Sequence, residues 1–280
     1  MVIGGGSNLL VSDKGIDKLV IKNEVTGIQA NTHGVKSEVS SGSHTGSEVI
    51  VKSGTPLQDL IDFCLQNSLS GLQKLTGIPG TVGGAVYGNA AAYGQTISDH
   101  ISSIVILTPD LIRGKNLITL SKDECQFAYR DSGFKRTGFI ILEIKFQLSS
   151  PGDSKELEKE AAETLQKRLA KYKPGILCPG SFFKNVLLEN LTQEQKRLIP
   201  KERDYYGKVP AWYFLDEVGA RGDQLGQIKI ADFHGNLFMN LGGGTAADFY
   251  KLAKKYYQKV KEKFNIELEP EVQLINLPPL

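Results

Sequence analysis

Residues 77 to 94 read Gly77-Ile78-Pro79-Gly80-Thr81-Val82-Gly83-Gly84-Ala85-Val86-Tyr87-Gly88-Asn89-Ala90-Ala91-Ala92-Tyr93-Gly94, a run in which glycine, alanine and small polar residues replace ordinary core packing. Without a Cβ, Gly77, Gly80, Gly83, Gly84 and Gly88 can bring backbone N–H groups close to a flat or phosphorylated ligand. Pro79 stiffens the entry. A surface loop rich in turns is the alternative, but Ala85, Val86 and Ala90 to Ala92 suit an interior better than a solvated linker. The stretch therefore reads as a cofactor cradle.

Composition limits what such a cradle can serve. A chain of 280 residues, 40% hydrophobic and 23% charged, is long enough for two domains with substantial cores. Thirty-three Lys plus Arg against 31 Asp plus Glu leave a net charge of +2, which argues against a nucleic-acid partner and leaves local anion sites open. Cys64, Cys125 and Cys178 are odd in number and show no Cys-x-x-Cys spacing, so neither a disulfide framework nor a metal site is expected. No run approaches the roughly 18 apolar residues of a membrane span. The expectation is a globular cytoplasmic protein with no membrane partner, monomeric, in a reducing compartment.

Upstream of the cradle, Met1-Val2-Ile3 reads as a buried strand entering Gly4-Gly5-Gly6-Ser7-Asn8, a second candidate anion nest that Leu9-Leu10-Val11 anchors in a core. Val20-Ile21, the alternating Val35, Ser37 and Val39, and Val49-Ile50-Val51 read as short strands, with a turn over 31–34. Thr55-Pro56-Leu57-Gln58 supplies an N-cap, a first-turn proline and a capping-box glutamine. The helix that follows carries Leu57, Leu60, Ile61, Cys64 and Leu65 on one face, and Cys64 is read as core.

Downstream, 101–108 and 116–120 form an expected hairpin turning at Arg113-Gly114, and Ser121 to Glu124 has capping-box spacing ahead of Tyr129-Arg130-Asp131-Ser132. Ile140, Leu142, Ile144, Phe146 and Leu148 alternate with more polar positions, which predicts a strand with that face buried. After a break at Pro151-Gly152, Leu157, Ala161, Leu165, Leu169 and Tyr172 mark a helix, and the domain boundary is placed there: 1–152, then 153–280. The second part opens on Cys178-Pro179-Gly180-Ser181-Phe182-Phe183-Lys184-Asn185, with a hydroxyl, an ammonium and an amide within five positions. Its plainer reading is a serine-containing turn before a core strand. A helix over 210–218, strands at 228–230 and 237–239, and a long helix over 245–264 with a lysine-rich solvated face complete the chain. Gly242-Gly243-Gly244 reads as a turn feeding a Thr245 N-cap.

Gly4 to Val11, Gly77 to Ala85, Asn89 to Gly94, Tyr129 to Ser132, Gly180 to Asn185 and Leu268-Glu269-Pro270-Glu271-Val272 together resemble the UDP-N-acetylenolpyruvoylglucosamine reductases along nearly the whole chain. The resemblance implies an α+β fold: an FAD-binding domain of the vanillyl-alcohol-oxidase type, then an α+β substrate-binding domain whose last segment returns to the flavin. It implies FAD and NADPH as cofactors and, as substrate, the enolpyruvyl ether of a UDP-sugar. Flavin contacts fall on Gly4, Gly5, Gly6, Ser7, Asn8, Gly77, Pro79, Gly80, Thr81, Gly83, Gly84, Asn89, Ala90, Tyr93 and Gly94. Ser181 becomes the proton donor, with Arg130 and a protonated Glu271 stabilising the enolate; Tyr129, Lys184, Asn185 and Lys173 fall to the substrate. Two departures accompany it. The family's strand–helix unit before the triple glycine is missing, so the FAD domain is expected to be N-terminally truncated, and 187–207 is lengthened, with a short helix expected near 191–195. Two rival readings stay open, another FAD oxidoreductase sharing only the cradle and a non-catalytic nucleotide-binding protein.

Overall fold

The computed structural model describes residues 1–31, 46–108, 117–149, 153–173 and 175–280. The strand expected through Val35, Ser37 and Val39, positions 32–34 of the turn expected over 31–34, the turn at Arg113-Gly114 and the break at Pro151-Gly152 lie outside them, while Asn31, expected in that turn, ends strand Ile28–Asn31. The chain divides into two compact units, Met1–Gly6 with Leu19–Lys171 and Ser7–Lys18 with Tyr172–Leu280.

The first unit is built on an antiparallel five-stranded sheet in the order Ile28–Asn31, Gly46–Lys52, Ile140–Ser149, Ile101–Leu107, Leu117–Ser121. Strand Ile140–Ser149 buries Ile144, Phe146 and Leu148 as the alternation predicts, but its first buried residue is Ile141 rather than Ile140 or Leu142. A register shift against the neighbouring strand between Ile141 and Glu143 explains the change of phase, because one unpaired residue moves every side chain before it to the opposite face. Helix Leu57–Gln66 lays Leu57, Leu60, Ile61 and Cys64 on the core. Burial pushes the Cys64 thiol up to about 12 and the Cys125 thiol up to about 11.

Two expectations for this unit need correction. The N-cap of helix Leu57–Gln66 is Pro56 with no side-chain cap, while the Thr55 hydroxyl accepts from the Gly27 amide at 3.1 Å and Gln58 turns away to other partners. Helix Ser154–Lys171, assigned from sequence to the second part, belongs with the first unit. It buries Leu157, Ala161 and Thr164 and is tied by the Gln73 amide to Glu160 at 2.9 Å, while Leu165 and Leu169 stay exposed. The predicted stripe holds at Leu157 and Ala161 and drifts off the core after them, because a spacing of four residues runs ahead of the roughly 3.6-residue turn.

The second unit packs helix Ala246–Phe264 on a three-stranded antiparallel sheet of Gln224–Leu225, Ile228–Ile230 and Phe238–Asn240. Phe182 lies at its centre, with ring centroids 4.8 Å from Phe183 and 5.3 Å from both Phe238 and Phe249. Truncating one such fully buried ring costs about 3–5 kcal/mol. Thr245 caps the helix as expected, and both Asp13 carboxylate oxygens reach its next amides, Ala246 and Ala247, at 2.8 Å each. Those two amides hold the Asp13 carboxyl below its usual range. Parallel pairing of Leu9–Val11 with Gln273–Ile275 brings Ser7–Lys18 into this unit. The lengthened segment contains helix Gln193–Arg197, opened by a full Thr192/Gln195 capping box.

Candidate active site

In the first unit the two glycine segments meet. A Cβ on Gly5 would stand 2.8 Å from Gly80 Cα, and one on Gly4 would stand 2.3 Å from Thr81 Oγ1, so only glycine permits this approach. Val82–Tyr87 winds into a short helix capped by Thr81, which changes the expected donor set. Gly77 N–H goes to Gln58 Oε1 at 2.9 Å, Gly83 N–H to Ser53 O at 2.8 Å, Gly84 N–H to Thr81 Oγ1 at 3.2 Å and Gly88 N–H to Gly84 O at 3.1 Å. These amides, read from sequence as facing a ligand, are consumed by the fold. Among the described residues, no acceptor is bonded to the amides of Gly4, Gly5, Gly6, Gly80 or Thr81, and these line the two facing lips. Such a set of unspent donors, with only the small Thr81 side chain between the lips, suits the diphosphate of a dinucleotide.

The far end of the stretch is strained. Asn89 and Tyr93 have φ of 46° and 50°, and Gly94 follows at 83°. Ala90 N–H closes on Ala85 O at 2.8 Å, while Pro79 and Tyr93 are exposed. Asn89 is buried, gives its Nδ2 to Ala128 O at 2.8 Å, and leaves Oδ1 buried without a partner. That orphaned acceptor calls for a donor from a ligand or water.

Arg130 is held beside it. Ala128 and Asp131 exchange backbone bonds of 3.0 and 3.1 Å, making Tyr129-Arg130 the tip of a tight turn in which Arg130 has φ 53°. Ser132 Oγ donates to Tyr87 O at 2.7 Å, and Arg130 Nη1 donates to Ala91 O at 2.8 Å. The guanidinium lies 5.9 Å from the Tyr129 ring. A bulky residue kept at positive φ by this many bonds is a pre-organised group rather than a swinging surface cation.

In the second unit, Glu271 N–H donates to Phe182 O at 2.7 Å, Lys184 N–H to Glu269 O at 2.8 Å, and Phe183 bridges Pro270. Ser181 therefore runs antiparallel to the Glu271 segment, next to the pairing. Its hydroxyl is half-buried and bonds to no described residue. Asn8 Nδ2 donates to Glu271 O at 3.1 Å, so the Ser7-Asn8 end of the nest belongs to this cluster. Three expected substrate ligands sit differently. Lys184 is buried and its ammonium is paired with Glu269, Asn185 Oδ1 accepts from Ala211 N–H at 3.3 Å ahead of helix Ala211–Glu217, and Lys173 is exposed at the start of the unit. Sequence reading missed Ser53 and Gln58 as partners of the cradle backbone, which they bond from far along the chain; a serine directly after an apolar strand was the available signal.

Among the described residues no three His, Cys, Asp or Glu gather as a metal site, and no helix is long and apolar enough to cross a membrane. Residues 1–110 match the family model of an FAD binding domain, and 174–275 match that of the C-terminal domain of UDP-N-acetylenolpyruvoylglucosamine reductase. A UDP-N-acetylenolpyruvoylglucosamine reductase of Solibacter usitatus is 39% identical over 276 residues, spanning 98% of this chain and 82% of that protein. One of a Thermotoga species is 35% identical over 98% of this chain and 78% of its own length. The solved structure of the Thermus caldophilus reductase superposes with a TM-score of 0.71 at 26% identity, over 98% of this chain and 85% of that one. With relatives this similar over 98% of its length, the chain belongs to the UDP-N-acetylenolpyruvoylglucosamine reductase family.

Proposed function

We propose that this chain reduces the enolpyruvyl ether of UDP-N-acetylglucosamine to UDP-N-acetylmuramate, with NADPH as reductant and FAD as cofactor, in the cytoplasm and as a monomer. The observation that carries the reading is the Ser181 hydroxyl, which bonds to no described residue and lies along the Glu271 segment in a chain of this family. The unspent amides of Gly4–Gly6, Gly80 and Thr81 and the orphaned Asn89 Oδ1 fit the cofactor. The unit of Met1–Gly6 and Leu19–Lys171, which includes helix Ser154–Lys171, serves as the FAD-binding domain, and that of Ser7–Lys18 and Tyr172–Leu280 as the substrate-binding domain.

Bound FAD supplies two-electron transfer between NADPH and the enolpyruvyl double bond. The protein's own residues manage charge and one proton. Electrons delivered to the terminal carbon of the double bond leave negative charge on the carbon bearing the carboxylate. Arg130, with its planar fork and its Nη1 already aligned by Ala91, binds that carboxylate as its charge grows. Glu271 assists in protonated form. Ser181 Oγ gives its proton to the charged carbon and regains one from solvent, so NADPH plus one proton balances the new C–H bonds. Gly4–Gly6, Gly80 and Thr81 would hold the diphosphate of FAD, and Tyr129, Lys184 and Asn185 would serve to bind the substrate. Lys184 releases Glu269 to reach a phosphate.

The test incubates purified protein with NADPH and the enolpyruvyl nucleotide and weighs the product by mass spectrometry. A product two hydrogens heavier, formed one for one with NADP⁺, is expected. Consumption of NADPH with no change in the nucleotide, or activity only on an unrelated alcohol, would favour the oxidoreductase alternative.

A further inference from the structure

Asn23 and Ser53 lie outside every motif above, yet they join the two lips of the cradle. Asn23 N–H donates to Ile3 O at 2.9 Å, fixing the residue that leads into Gly4–Gly6. Its side-chain Nδ2 donates to Ser53 Oγ at 2.8 Å, while its Oδ1 accepts from Val25 N–H at 3.0 Å. Ser53, only 2% exposed, passes its own hydroxyl proton to Ile141 O at 2.6 Å and its N–H to Leu142 O at 2.9 Å. Its carbonyl accepts from Gly83 N–H at 2.8 Å, two residues after Thr81. The approach is close enough that a Cβ on Gly83 would stand 2.8 Å from Ser53 Cβ. Gly54 is pinned to the same segment, its N–H donating to Val25 O at 3.0 Å, and a Cβ there would stand 2.6 Å from Val25 N.

We infer that the Asn23–Ser53 pair is a brace that sets the gap between the Gly4–Gly6 lip and the Gly80–Thr81 lip, and so determines how tightly the chain holds the FAD diphosphate. Both groups are positioning residues. The Ser53 hydroxyl spends its proton on Ile141 and accepts from Asn23, so it has no reason to face a ligand, and a buried polar link where an apolar contact would serve indicates a geometric task. Through Ile3 on one side and Gly83 on the other, a shift at either residue moves one lip against its neighbour. Donors aimed at a diphosphate lose their joint geometry together, which is why a remote change reaches the cofactor. The inference rests on the FAD reading above.

The test uses FAD-loaded parent, Ser53→Ala, Asn23→Asp and the double variant, each diluted while released flavin fluorescence is followed. Asn23→Asp keeps an acceptor for Val25 and replaces the Nδ2 donor with a carboxylate oxygen that cannot donate to Ser53 Oγ, at a half-buried position, so the brace remains testable if buried Ser53→Ala fails to fold. Each single change should weaken FAD retention about tenfold, the loss of one buried hydrogen bond converted to affinity. Because the two act through one contact, the double variant should fall no more than about threefold below the weaker single. Thr192→Ala, which removes the cap of helix Gln193–Arg197 in the other unit, should lower the melting temperature while leaving FAD affinity unchanged. Singles that hold FAD at the parental affinity, or losses that multiply in the double variant, overturn the brace. A parent that binds no FAD overturns the cofactor reading itself.

Discussion

Replacing Arg130 by lysine keeps the charge and the backbone and removes only the planar fork. The left-handed φ of 53° costs lysine what it costs arginine, and the Lys135 ammonium on the Arg130 carbonyl, at 2.7 Å, does not depend on the side chain. Folding should therefore persist, with the melting temperature within about 3 °C of the parent, a change of about 1 kcal/mol for a chain of this size. What is lost is the Nη1 bond to Ala91 O that aims the second nitrogen. A charge-assisted bond contributes about 1.5–3 kcal/mol, and a donor directed at charge developing in a transition state typically contributes about 10²–10³ in rate. An ammonium can satisfy Ala91 or meet the carboxylate, not both in one plane. The fall, about 10²-fold, should be in kcat more than in KM, read from steady-state NADPH oxidation with the enolpyruvyl nucleotide. Parental kcat in a folded Arg130→Lys protein would refute the argument and return Arg130 to a structural part in its turn.

Alkylation should separate the three thiols: with Cys64 pushed up to about 12 and Cys125 to about 11, iodoacetamide at pH 8 should add one group to the native protein, on half-exposed Cys178, and a second group would contradict the burial of the other two. Acid should act on the second unit through Asp223. Its bonds to Lys255 and to the Tyr256 hydroxyl, each opposed by burial, hold its folded pKa below the unfolded value. The stability it contributes is thus present above the ordinary carboxylate pKa of about 4 and lost as pH falls through the lower folded pKa. Asp223→Asn should flatten that part of the acid-unfolding curve monitored by circular dichroism, and an unchanged slope below pH 4 would remove Asp223 from the account.

The elements that position the site were legible wherever the signal was local. Glycine spacing located both lips, and the Thr245 cap stood where short-range hydrogen bonding puts it. Legibility failed where a distant partner decided the outcome. Thr55 looks like an N-cap beside Pro56, but Gly27 takes its hydroxyl; Gly83 and Gly84 look like ligand donors, but Ser53 and Thr81 take their amides. The bulge before Glu143 reversed one end of a clean alternation. Nothing within Ser7–Lys18 indicates that it pairs with Gln273–Ile275, a contact set by the opposite end of the chain. Lys184 likewise reads as a free cation until Glu269 is seen beside it.

The central claim, that Ser181 is the acid for the substrate's carbon, is tested most directly by following flavin absorbance in Ser181→Ala through the two halves of the reaction in a stopped-flow instrument. NADPH should bleach the flavin of this variant at nearly the parental rate, since no proton on substrate carbon is needed there. Recovery of colour on adding the enolpyruvyl nucleotide should slow by at least about 10²-fold, the usual cost of a positioned acid, and Ser181→Cys, which keeps a transferable proton, should restore part of it. Recovery at the parental rate in a folded, flavin-loaded Ser181→Ala protein would contradict the account.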